Sequence, residues 1–136
     1  MLIKVPTNVG AGNLVPAGIY KVAFTGYKVR TSEAGNFCIA PEYTIQTQQA
    51  PDGSKVLGRK MFDNWTVTEA SIGIWNNAYK ALCGRDLPAG DFEVDEFANR
   101  VTSDCQGKEM LIQVEIKPDR NEVDRNVIKK YSAIGA

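Results

Sequence analysis

The order of hydrophobic periods along this chain is the feature that most constrains its fold. Residues 18–30, GIYKVAFTGYKVR, alternate, with Tyr20, Val22 and Phe24 on one face and Lys21, Ala23 and Thr25 on the other. Residues 37–47, FCIAPEYTIQT, alternate again, and GRKMFDNWTVT at 58–68 has the look of a third strand. From Thr68 the period becomes helical, with Ile72, Trp75, Tyr79 and Leu82 at three- and four-residue steps. Residues 108–118, KEMLIQVEIKP, return to period two with Met110, Ile112, Val114 and Ile116 together, and VIKKYSAI at 127–134 ends the pattern.

Local signals punctuate these segments. Gly26 interrupts the first strand and marks a bulge or sharp bend. Pro41 has no N–H for a ladder, so the second strand is locally an edge or bulged there. Thr68 suits the N-cap of the helix, Glu69 its positive end and Gly84 its C-terminal stop. Phe92, Val94, Phe97 and Val101 among acidic residues predict a second, short amphipathic helix over 92–105.

Three strands, a helical insertion over 68–106 and two strands is the element order of an OB-fold, a five-stranded, partly open barrel with a helix between strands three and four. The expected class is therefore all-β with a helical insertion, a five-stranded OB-fold barrel in one domain over 1–136. A β-sandwich would want more strands, and an α/β fold would alternate strands with helices. The opening, MLIKVPTNVGAGNLVPAG, lacks the apolar middle of a signal peptide, and residues 1–16 read as a loose leader. No apolar run approaches the roughly 20 residues that span a bilayer, so no membrane role and a cytoplasmic setting are expected.

The residue inventory narrows the chemistry. The sequence has no histidine, which excludes imidazole-dependent metal sites and Ser-His or Cys-His nucleophile pairs. Cys38, Cys83 and Cys105 are an odd number without close spacing and read as small buried apolar groups. No phosphate-cradling loop, GxSxG or CxxC motif occurs, and Asp91, Glu93, Asp95 and Glu96 read most simply as a solvated face. No catalytic residue, metal or cofactor is expected. Net charge is zero, but its distribution is polarised. Residues 1–68 hold seven Lys/Arg against four Asp/Glu, residues 69–107 three against seven, and residues 108–136 six against five.

Cations and aromatics cluster where an OB-fold takes a single strand, on strands two and three and the flanking loops. Lys28, Arg30, Arg59, Lys60 and Arg120 are the candidate phosphate contacts. Tyr27, Phe37, Phe62 and Trp65 are the candidate stacking platforms. Phe62 and Trp65 lie three positions apart, so a regular strand sends them to opposite faces and at most one belongs to the platform.

Four ordered stretches also resemble phage-type single-stranded-DNA-binding proteins with an OB-fold. VPAGIYKVAFTGYKVRTSEAGNF is similar to their opening strand and loop, and GRKMFDNWTVTE to their third strand. WNNAYKALCG is similar to the helix that follows, and DRNEVDRNVIKKY to the hairpin before the last strand. The resemblance spans about residues 15–131 and implies sequence-independent coating of single-stranded DNA in phage DNA replication or recombination, in the host cytoplasm and without catalysis. It also implies replication or recombination proteins as partners, although the chain ends KKYSAIGA, without the acidic tip through which many single-strand binders recruit them. Exposed strand edges add a homodimer to the expectations. The rival reading is an OB-fold module that binds another protein and no nucleic acid. A small nuclease comes third, and would need carboxylates converging on a divalent metal.

Overall fold

A computed structural model describes residues 14–135, in the element order β1 (Gly18–Thr31), β2 (Phe37–Ile45), β3 (Lys60–Phe62), β4 (Trp65–Thr66), α1 (Glu69–Cys83), α2 (Val94–Cys105), β5 (Glu109–Pro118) and β6 (Asp124–Ser132). The fold is mostly β with two helices inserted between β4 and β5. All six strands belong to one antiparallel sheet in the order β3-β2-β1-β5-β6, with β4 also on β2.

Two expectations need correction. The third strand is broken into β3 and β4, so the described residues hold six strands rather than five. The ladder also does not close: β6 pairs β5 alone and β3 pairs β2 alone among the described residues. A side-chain link stands where a closing ladder would run, with the Tyr131 hydroxyl on β6 donating to Asp63 between β3 and β4. Pro41 lies inside β2, between β1 and the third-strand pair, and its missing donor coincides with the break. There the Pro41 carbonyl accepts the Asp63 N–H at 3.1 Å, and β3 has already ended.

The core forms where the alternation of β1, β2 and β5 meets the helices. Tyr20, Val22, Phe24, Ile39, Tyr43, Ile45, Met110 and Ile112 are buried on the sheet, and Trp75, Tyr79, Leu82, Phe97 and Val101 face them from α1 and α2. At its centre Trp65 and Trp75 stack with ring centroids 4.9 Å apart and planes 3° from parallel. The caps follow the sequence: Thr68 Oγ1 accepts the Ser71 N–H at 3.2 Å, and Gly84 closes α1 at φ 76°, which favours glycine.

Of the expected leader, residues 1–13 lie outside the described residues. Val15 is buried, and its N–H and carbonyl are both held by the Asn126 side-chain amide of β6, at 2.9 and 2.7 Å. No helix among the described residues is long and apolar enough to cross a membrane.

Candidate nucleic-acid interface

One irregularity decides which side chains β1 presents. Up to Phe24 its even positions face the core, with Val22 opposite Ile45 and Phe24 opposite Tyr43. The register then shifts between Phe24 and Gly26, leaving Thr25 as the extra residue of a bulge. A one-residue slip exchanges the faces of everything that follows. Beyond it Lys28 lies opposite Ala40 and Arg30 opposite Cys38, on the face away from the core, while Tyr27 and Val29 take the core-side parity.

The same parity continues across the sheet. Lys60 opposes Thr44 and Phe62 opposes Glu42, both on the outer side, whereas Met61 and Trp65 point inward. Lys28, Arg30, Lys60 and Phe62 therefore share one open face of β1, β2 and β3. The middle of that face is low, because Gly26, Cys38 and Ala40 bring little bulk to it. Phe62 stands up from it 65% exposed, a large apolar ring in water. Among the described residues three cations face a single acid there, Glu42, which pairs with Lys60 at 3.4 Å. That ion pair is exposed and contributes little to stability. Arg30 reaches across β2 to the Asn64 Oδ1 at 2.9 Å, which lays its guanidinium over the face. Lys28 has no ion pair among the described residues.

Four of the nine sequence candidates come together in this way, and five do not. Trp65 is fully buried against Trp75 and Phe24, so it is a core residue and not a platform. Tyr27, 42% exposed, and Phe37, half-buried against the core, lie on the reverse of the same strands. Arg59 turns toward the N-terminal segment and donates to the Leu14 carbonyl at 3.3 Å. Arg120 sits in the turn between β5 and β6, past the Gly18 end of β1, whereas Lys28 and Arg30 approach the opposite end.

Asp63 is a residue that sequence reasoning missed. Its Oδ2 accepts hydrogen bonds from Tyr43 and from Trp65 Nε1, both at 3.1 Å, and from Tyr131; its Oδ1 accepts the Asn64 N–H at 2.8 Å. One carboxylate thus joins β2, the β3–β4 break and β6. Burial first, and then the Asp63 charge, push the Tyr43 and Tyr131 phenols above their ordinary value, so both stay protonated donors. Asp63 is a structural hub, and its three side-chain donors leave it little room to act as a base. The thiols of Cys83 and Cys105 lie 3.8 Å apart between the two helices, and burial raises both. No group of three or more metal-ligating side chains occurs among the described residues.

No protein-family model matches the chain, and no curated protein matches it.

Proposed function

We propose that the protein binds single-stranded DNA without sequence preference, on the outer face of β1, β2 and β3. The observation that carries this reading is the shared parity of Lys28, Arg30, Lys60 and Phe62 after the Thr25 bulge. Cations beside an exposed ring over a low surface suit a flexible polyanion whose bases have free faces. Stacking on such a ring contributes roughly 1–3 kcal/mol per base and accepts any base. A duplex keeps its bases stacked inside and cannot use Phe62 in this way.

The sheet order, the helical insertion before β5 and the side-chain link between the two sheet edges support an OB-type barrel left open at one seam. The sequence resemblance described above adds phage-type DNA replication or recombination as the setting, with no reaction of its own. Since the whole chain is neutral, affinity in this reading depends on the local cations and on stacking, with a modest salt slope.

Anisotropy of a labelled dT oligonucleotide at two salt concentrations tests the proposal, with duplex DNA and RNA of matched sequence as controls. The expected result is salt-sensitive binding of the single strand, weakened about tenfold or more by joint Lys28→Ala and Arg30→Ala replacement without loss of fold. Absence of binding at low salt, or binding indifferent to these changes, would remove this face from the function.

A further inference from the structure

The open seam leaves a cleft of about 810 Å³ between α1 and β6, beside the outer face described above. Its walls are Ser71, Ile74 and Lys80 of α1 and Ile128, Lys129 and Lys130 of β6, with Trp75 and Asp63 at its base. Two further lining residues, Asn64 and Thr66, also belong to the outer face: Asn64 holds Arg30, and Thr66 lies opposite Cys38. The cleft and the face are thus one continuous surface.

The chemistry of the cleft is that of the face, repeated. Lys80, Lys129 and Lys130 line it together with Asp63, whose oxygens already accept the four donors named above. Lys80 and Lys129 have ion pairs with Asp86 and Glu115, at 3.9 and 3.4 Å, and both lysine side chains are largely exposed. Lys130 is exposed and has no ion pair among the described residues. Ile74, 72% exposed, and the half-buried Ile128 line the same cleft. Phosphates match the lysines, and the face of a base matches the isoleucine side chains.

We propose that the cleft takes the next nucleotides of the same DNA single strand, which turns past Arg30 and Asn64 to enter it. The inference rests on the proposed function of the outer face. It gives the protein a binding path in two segments and makes affinity depend on strand length.

The test compares two dT oligonucleotides on the full chain, the shortest that binds and one about four nucleotides longer. The wild type is expected to bind the longer one more tightly. Lys130→Glu should remove most of that gain, about tenfold, and lower the salt slope for the longer strand while leaving the shorter one unchanged. Emission from the tryptophans should change with the longer strand, because Trp75 lies at the base of the cleft and no tryptophan lies on the outer face. A wild type that gains nothing from length, or a Lys130→Glu protein that keeps the gain, overturns the two-segment path while the outer face stands. That result would leave the cleft to a protein strand pairing with the free edge of β6. A wild type that binds neither oligonucleotide overturns both readings.

Discussion

The two halves of β1 are one continuous strand with opposite duties. From Gly18 to Phe24 it is paired by β5 as far as Ala23 and by β2 from Val22 onward, and Tyr20, Val22 and Phe24 are fully buried. From Gly26 to Thr31 it pairs β2 alone, and every residue from Tyr27 onward is exposed. The first half is specified by packing, so its side chains are answers to the core. The second half is held by backbone bonds to β2, so its side chains are free to answer to something outside. Thr25 is the joint: pairing with β5 ends at Ala23, and the bulge turns Lys28 and Arg30 away from the core side.

The sharpest way to break this comparison is to truncate one residue in each half. Phe24→Ala should cost about 3–5 kcal/mol, since it removes a fully buried ring touching Tyr43 and Trp65. Val29→Ala, on a residue 51% exposed, should cost under about 0.5 kcal/mol. Urea unfolding measures both, and similar midpoint shifts would erase the distinction. Next in size is Asp63→Ala, which strands the Tyr43, Trp65 and Tyr131 donors and should cost roughly 3 kcal/mol by the same measurement. A near-neutral result would deny the hub its role in tying β6 to β2 and to the β3–β4 break.

Phe62→Ala turns to the exposed side. It should leave stability nearly unchanged and weaken single-strand binding by roughly 1–3 kcal/mol, read as a shift of the titration midpoint. The pH dependence is gentler and separates core from surface in another way. The Tyr43 and Tyr131 phenols are held above their ordinary value when folded. Their contribution is therefore complete below pH ~10, where an unfolded tyrosine is still protonated, and is lost as pH rises beyond it. Tyr131→Phe should flatten the fall in stability between about pH 9 and pH 11, followed by circular dichroism at fixed denaturant. Smallest of all, Lys28→Ala should lower the salt slope of binding by roughly 0.7, the value of one phosphate contact on a single strand.

Much of the buried half of the molecule was legible in the sequence. The alternation of Tyr20, Val22 and Phe24, the capping by Thr68 and Gly84, and the opposite facing of Phe62 and Trp65 each follow from a local rule. Parity alone does not say which face is the core, which is why Trp65 reads equally well as a platform. The bulge was signalled by Gly26, but its consequence for Tyr27, Lys28 and Arg30 depends on which residue is extra, and that is settled by pairing with β2. Asp63 went unread because its three side-chain donors are distant or out of pattern in sequence, and a strand carboxylate ordinarily faces water. That the sheet does not close depends on the twist and stagger of all its strands, which no single segment encodes.

The most direct test of the central claim is a ¹⁵N NMR titration of this 14.9 kDa chain with an unlabelled dT oligonucleotide. The outer-face account expects amide shifts concentrated at residues 26–31, 38–42 and 60–66, with the first half of β1 and the β5–β6 turn unmoved. Shifts centred on the turn that carries Arg120, or no shifts at saturating oligonucleotide, would contradict it.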